Sequence, residues 1–406
     1  MRASHWFSLA VLLMAGTAAA QDMVVKIGHV GPLSGALAHL GQDSENGARM
    51  AIDELNAKGV TIGGKRARLE LVAEDDAADP KQATAAAQKL CDAKASGVVG
   101  HLNSGTSIPA SAVYNQCGMP MVTPSATDPT LTQQGFQNVF RLQASDSAQG
   151  AGLALYAAET LKLRRVAIID DRTTYGQGIA EAFKRSAKSR GLQIVDEQSI
   201  SDKATDVSGI LSSIKSRSAE AVFYGGVAAQ AGLILRQLDQ QGMGSVKLLG
   251  GDGICTDSLS RLAGAARSVE GVVCVEGGLA LDQMPGGKAW KARYERAYPG
   301  KPSLFAPFSY DAVHVLVDAM QRAGTADPRA YLAKLRDANL QGVTGRIRFS
   351  SSGDLSSPAL MIYRFRPNGS ASGFVRTSTT GTPTCAGNQC YCEKAKECRD
   401  KCDAGC

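Results

Sequence analysis

The sequence predicts an α/β fold of two lobes, each a parallel sheet with helices on both faces, joined by a hinge of several crossing strands. Three observations carry this. The chain has 406 residues, more than one ordinary core accommodates, so two domains are expected. From Val24 onward, strand-like apolar runs alternate with amphipathic helical segments, which is the β-α-β rhythm of parallel sheets. The rhythm then restarts at Arg165, giving two series, roughly residues 24–143 and 147–275.

The elements can be justified in chain order. Residues 1–20 have the form of a secretory signal: Arg2 is the positive start, Trp6 to Ala15 a short apolar stretch, and Ala18-Ala19-Ala20 a small-residue cleavage site before Gln21. The apolar stretch is too short for a transmembrane helix. No cysteine lies near the cut and no later segment is apolar enough to span a bilayer, so a soluble exported protein is expected. Val24 to Val30 reads as a strand ending in the turn GPLSGALAHLG. Residues 42–58 carry Ala48, Ala51, Ile52 and Leu55 at helical spacing, with Gly59 as the stop. Leu69 to Ala73 is a strand. Asp79 caps the next helix, with Pro80 at its first position and Gln82 completing a capping-box pattern.

The second series reads as strand VAIID, helix 178–190, strand LQIV, helix 207–217, strand AVFYGG, helix 229–241 and strand KLLGG. Both series are Rossmann-like. Helices after Pro285 and strands near Ile347 and Leu360 are left to complete one or both sheets, so the chain crosses between lobes more than once. Ligands of open α/β sheets sit beyond the carboxyl ends of the strands. Two facing lobes then share one cleft, and the crossings serve as a hinge.

Apolar content is 44% and the formal charge only +6, with basic and acidic residues interleaved. This excludes the basic runs of a nucleic-acid or membrane-surface protein. Export turns the ten cysteines into disulfide candidates. Cys91 and Cys117 form one local pair and Cys255 and Cys274 another, with buried free thiols as the alternative. The other six crowd into residues 376–406, a linker followed by a Cys-rich tail with too few apolar residues for a core. A disulfide knot and a thiolate metal cluster are both open there, and export favours the knot. The C-x4-C-x-C spacing is unlike a standard zinc site.

The stretch Gly100 to Pro129 is the most informative about function. It places two Ser/Thr/Gly loops, NSGTS and TPSAT, after two short apolar runs. The first opens a helix expected over 107–116. Hydroxyls, backbone N–H groups and a helix N-terminus together suit a small carboxylate. No catalytic group stands beside them. HExxH, Walker A and GxSxG patterns are absent, and Gly176 and Gly178 do not complete a GxGxxG. An enzyme is not expected, nor a cofactor or metal. His29, His39 and His101 could approach one another in the first lobe, but at no standard metal spacing, and structural roles are expected for them. Asp75, Asp76, Asp170 and Asp171 end strands and read as solvated loop caps. Asp252, in GGDG at a strand end, could meet a ligand ammonium from the second lobe or be an ordinary turn residue.

The motifs GPLSGALAHLGQDSENGARMAIDELNAKG, AEDDAADPKQA, GHLNSGTSIPAS, TPSATDPTLT, DDRTTYGQG, FYGG and GGDG occur in that order. Together they resemble the periplasmic leucine/isoleucine/valine-binding proteins, the type I solute-binding component of ABC transporters, over about residues 24–375. The resemblance implies lobes of residues 24–145 with 277–353 and of residues 146–276 with 354–375. It implies a periplasmic monomer that closes on a small amino acid, most readily Leu, Ile or Val, and delivers it to a membrane permease. It also implies roles: Ser104 on the ligand carboxylate, Ser125 and Thr127 on the ammonium and carboxylate, Tyr175 closing over the ligand, Asp252 on the ammonium and Phe305 lining the side-chain pocket. Leu40 and Val227 stand where relatives can carry aromatic residues, which leaves the pocket aliphatic. The alternative is a receptor for an amide or other small solute that signals without transport. The Cys-rich tail lies outside the family pattern.

Overall fold

A computed structural model describes residues 22–366 with their side chains and the backbone of residues 371–377, 390–392 and 397–399. The signal segment 1–20 and the side chains of the tail cysteines lie outside the described residues. The first series forms β1 (Met23–Gly31), α1 (Ala38–Lys58), β2 (Val60–Ile62), β3 (Lys65–Asp75), α2 (Pro80–Asp92), β4 (Gly97–Gly100), α3 (Ser104–Cys117), β5 (Met121–Thr123), α4 (Thr130–Gln133) and β6 (Val139–Arg141). The second forms α5 (Asp146–Glu159), β7 (Arg165–Asp170), α6 (Thr174–Ser189), β8 (Gln193–Ser199), α7 (Ser208–Ser216), β9 (Ala221–Gly225), α8 (Ala228–Gln240), β10 (Lys247–Gly250), α9 (Ser258–Ala263) and β11 (Val273–Gly277). Then come α10 (Gly287–Ala297), α11 (Ala306–Ala323), α12 (Pro328–Arg336), β12 (Leu340–Gln341), β13 (Arg346–Ile347), β14 (Ala359–Phe365) and β15 (Ala371–Thr377).

The strands make two sheets, ordered β2-β3-β1-β4-β5-β6 and β15-β14-β11-β10-β9-β7-β8. Their centres are parallel, but β2, β14 and β15 pair antiparallel at the edges. Each sheet is buried on both faces, as crossover helices require. In the first, α1 and α11 cover one face through residues such as Ala48, Ile52, Val313 and Leu316, while α2 and α3 cover the other through Ala83, Leu90, Ala110 and Tyr114. In the second, α6 buries Ile179, Phe183 and Ala187 at helical spacing, and Phe183 stacks on Phe223 of β9 with ring centroids 4.1 Å apart.

Several elements differ from expectation for identifiable reasons. The strand at Ile347 does not complete a sheet: β13 pairs only with β12, in a separate ribbon. The later helices do cover the first sheet, and β14 extends the second. Helix α3 starts at Ser104 rather than 107, because the Asn103 carbonyl accepts from the N–H groups of Thr106 and Ser107 at 3.2 and 2.9 Å. The cap at Asp79 forms as the sequence suggests, its carboxylate accepting from the N–H groups of Lys81 and Gln82. Disulfides join Cys91 to Cys117 and Cys255 to Cys274. No helix of the described residues is long and apolar enough to cross a membrane.

The chain passes between the sheets after β6, after β11 and before β14. These crossings are tied together. Arg141 N donates to Gly353 O at 2.9 Å, and Gly278 N donates to Ala359 O at 2.9 Å. The Arg141 guanidinium is fully buried; its Nε donates to Asp354 at 2.9 Å.

Candidate functional site

Strand ends position the first-lobe residues. β4 ends at Gly100, so residues 101–103 turn directly into α3 and Ser104 becomes its first residue, buried. The N–H groups of Ser104 and Gly105 precede the helical ladder and point out of the helix end. β5 ends at Thr123, which delivers the loop with Ser125 and Thr127, both buried. The two loops are bonded to each other. Ser104 Oγ accepts from Asp128 N at 3.2 Å, and Ser125 Oγ donates to Leu102 O at 2.8 Å. Arg141 Nη1 donates to the carbonyls of Ala126 and Asp128, at 3.3 and 2.8 Å.

This revises one sequence-based expectation. The second loop does not offer a row of free N–H groups. Those of Ser125 and Ala126 donate to Thr123 Oγ1, and that of Asp128 to Ser104.

The second-lobe residues meet one another. Tyr175 lies in the first turn of α6 and Asp252 just beyond β10. Tyr175 Oη donates to Asp252 Oδ1 at 2.7 Å and accepts from Gly253 N at 2.9 Å. Gln149 Nε2 adds a longer bond to Asp252 Oδ2 at 3.3 Å. Glycine is needed at 253, where a Cβ would lie 2.6 Å from Gly226 O and 2.8 Å from the Tyr175 ring. Burial raises the Asp252 carboxyl above the usual range, against the opposing effect of the Tyr175 and Gln149 hydrogen bonds. Asp146, at the start of α5, is fully buried and raised well above its ordinary value, first by burial and then by the charge of Asp252. Its carboxyl faces the Thr127 hydroxyl, and its N–H donates to Thr127 O at 2.9 Å.

The two halves converge. The N-termini of α3 and α6 face each other, such that a Cβ on Gly105 would lie 3.3 Å from Thr174 Oγ1. One on Gly178 would lie 2.5 Å from Asp128 Oδ2 and 2.9 Å from Asp146 Oδ2. Hydroxyls and positive helix ends therefore lie beside a buried carboxylate, donors on one side and an acceptor on the other.

Phe305 stands apart. It is half-buried at the N-cap of α11, and no described hydrogen bond or ring pairing joins it to the other five. Its segment is held by Asp43, whose carboxylate accepts from Tyr294 Oη at 2.8 Å, Ser303 N at 2.9 Å, Ser303 Oγ at 2.6 Å and Ala306 N at 3.1 Å. Leu40 and Val227 are half-buried.

The other polar residues divide. Asp75 and Asp170 cap loops as expected, on the N–H groups of Leu33 and Ala77 and of Arg172. Asp171 accepts from Thr173 but is buried. Asp76 is not a solvated cap either. It is fully buried and holds His101 Nδ1 at 2.8 Å, while His101 Nε2 meets Tyr114 Oη at 2.9 Å. His39 is exposed, whereas His29 and His101 are buried. No group of three or more His, Cys, Asp or Glu among the described residues could hold a metal ion.

Sequence reasoning missed Gln149, Asp146 and Arg141. Gln149 left a signal, since it shares the apolar stripe of α5 with Leu153 and Tyr156, where a polar residue needs a buried partner.

Residues 24–370 match the family model described as periplasmic binding protein. An amino acid binding protein of Pseudomonas aeruginosa is 34% identical over 85% of this chain and 91% of its own length. A leucine-specific-binding protein of Salmonella typhimurium is 34% identical over 86% of this chain and 92% of its own. Among solved structures, the branched-chain amino acid transporter substrate binding protein LivJ from Streptococcus pneumoniae, in complex with isoleucine, superposes with a TM-score of 0.78 at 28% identity. It covers 87% of this chain and 99% of its own.

Proposed function

We propose, for a chain that belongs to the periplasmic binding protein family, capture of a small free amino acid between the lobes and delivery to the permease of an ABC transporter. Leu, Ile or Val is the ligand favoured by the leucine-specific relative and the isoleucine-bound structure. The observation that carries this reading is the pairing across the cleft. The N-terminus of α3, with Ser104, faces the α6 turn whose Tyr175 holds the buried Asp252.

A zwitterion matches both sides. Its carboxylate would take the Ser104 hydroxyl and the first N–H groups of α3, where the helix dipole favours negative charge. Its ammonium would face Asp252, with the Ser125 carbonyl and Thr127 hydroxyl alongside. An ammonium removes the penalty of burying an unpaired carboxylate. Tyr175 closes over the ligand, and Phe305 lines the side-chain pocket. Residues 24–145 with 277–353 move as one lobe, and residues 146–276 with 354–375 as the other. Closure excludes water and strengthens the polar contacts. The mature chain acts as a periplasmic monomer without enzymatic turnover.

Thermal unfolding tests this. The mature protein, stripped of ligand by unfolding and refolding, is scanned with amino acids and small amides. A ligand at 100 times its Kd adds about 2.7 kcal/mol of stability. A shift confined to Leu, Ile and Val is expected. No shift with any zwitterion would sink the reading.

A further inference from the structure

We propose that Thr123 is a positioning residue for the amino-acid site, setting the distance between the two loops that receive the ligand's carboxylate and ammonium. This rests on the amino-acid reading above. Thr123 ends β5, is fully buried and stands between the loops without belonging to the set that meets the ligand. Its hydroxyl donates to His101 O at 2.9 Å and accepts from Ser125 N at 3.3 Å and Ala126 N at 3.0 Å. One donor and two acceptor sites are all that a hydroxyl has. Thr123 therefore spends its whole capacity on joining the loop before α3 to the loop after β5.

The anchor on the far side is rigid. His101 is clamped between Asp76 and Tyr114, and Ser107 Oγ donates to the same His101 carbonyl at 3.2 Å. A β-branched residue in a strand has little χ1 freedom, so the hydroxyl is aimed before any ligand arrives. Ser125 Oγ on Leu102 O and Arg141 on Ala126 O and Asp128 O complete the brace. All of these bonds lie within the first sheet and its crossing. The ligand-facing geometry of that half is therefore set by the fold rather than by the ligand.

Thr123→Val keeps the shape and removes the hydroxyl, while Thr123→Ser keeps the hydroxyl. Calorimetric titration with leucine and with leucinamide, on wild type and both variants, reads the effect. The expected result is at least a tenfold weaker leucine affinity in Thr123→Val, recovered to within about threefold in Thr123→Ser. The leucine-to-leucinamide preference should narrow in the valine variant, because the brace orients the carboxylate half. Unchanged leucine affinity in Thr123→Val, or an equal loss for both ligands, overturns the positioning role while leaving the amino-acid reading intact. A wild-type protein that binds neither ligand overturns the amino-acid reading itself, and the role with it. If the valine variant does not fold, amide exchange of the ligand-free wild type decides: slow exchange at Ser125 and Ala126 supports the brace, and exchange at unstructured rates overturns it.

Discussion

The two halves of the cleft are built on opposite principles. On the first lobe, Ser104, Ser125 and Thr127 sit in loops bonded mainly by hydroxyls, carbonyls and amides, tied by the Thr123 hydroxyl and the Arg141 guanidinium. On the second lobe, carboxyls dominate. Asp252, Asp146 and Glu276 are all buried, and burial raises each of them, Glu276 to about 8. The first half is braced by hydrogen bonds, whereas the second gathers carboxyls that burial makes costly to ionise. The disulfides follow the same division. Cys91–Cys117 joins the far ends of α2 and α3, away from Ser104, whereas Cys255–Cys274 pins the segment three residues beyond Asp252 to β11. The difference implies that perturbing the second half should change binding and its pH dependence most. Perturbing the first should change geometry more than charge.

The largest test removes the charge. Asp252→Ala should weaken amino-acid binding by about a hundredfold or more, roughly 3 kcal/mol, as expected when a buried ammonium loses its charged partner. Titration calorimetry measures it. The pH dependence has a definite sign. Burial raises Asp252 in the ligand-free protein, which favours the protonated form, while an ammonium favours the ionised one. Wild-type affinity should therefore rise with pH through the raised Asp252 pKa and fall in acid, and Asp252→Asn should flatten that profile. A steep profile that survives in the asparagine variant would assign it to another group.

The disulfides offer a cleaner contrast. Each closes a loop whose release should destabilise the fold by about 3 kcal/mol on the chain-entropy argument. Unfolding in denaturant should show similar losses for the Cys91→Ser/Cys117→Ser and Cys255→Ser/Cys274→Ser proteins. Only the second should also weaken ligand binding, because only that pair steadies the Asp252 segment. Equal binding losses would dissolve the distinction between the lobes.

Much of this organisation was legible in the sequence, and the exceptions share a cause. The alternation of strands and helices, the Asp79 cap and the two local cysteine pairs follow from short-range patterns, and each forms. The sequence places Asp252 at a strand end and Tyr175 in the loop before a helix expected from 178; the helix starts earlier, at Thr174, and joins the two. What it does not reveal is the partner in space. Asp76 reads as a loop carboxylate until His101, 25 residues on, packs against it. Arg141 draws no attention from its neighbours in sequence, yet Asp354, 213 residues on, reaches it. The N–H groups of TPSAT look available until Thr123 takes two of them. Ile347 has strand character, yet pairs only within the local β12–β13 ribbon. Local pattern dictates elements; long-range hydrogen bonds decide which polar groups remain for a ligand.

A stability measurement probes the second half without touching the ligand. Glu276 lies in β11, hydrogen-bonded by Tyr363, and burial together with the charges of Asp252 and Asp257 holds its pKa at about 8 against an ordinary 4.5. The folded state thus binds this proton more tightly than the unfolded state. Stability from Glu276 is present in acid and declines as pH rises from about 4.5 to about 8. Glu276→Gln should remove that decline. Relative to wild type, the variant should gain roughly 4 kcal/mol by pH 8 and almost nothing at pH 4, as read from denaturant unfolding across pH. A gain independent of pH would mean that packing rather than charge is responsible.

The smallest effect belongs to the first half. Ser104→Ala removes one hydroxyl from the proposed carboxylate site and leaves Asp128 N without its acceptor. A hydrogen bond to a charged group contributes about 1.5–3 kcal/mol, so leucine affinity should fall roughly ten- to a hundredfold, and the unpaired Asp128 N–H should cost about 1 kcal/mol of stability. Because no charge is lost, the pH profile of binding should keep the wild-type shape, displaced uniformly to weaker affinity. That uniform displacement is what separates the two halves. A Ser104→Ala protein whose binding became more pH-dependent would show that its hydroxyl is coupled to the acids across the cleft, and the contrast between the two halves would then fail.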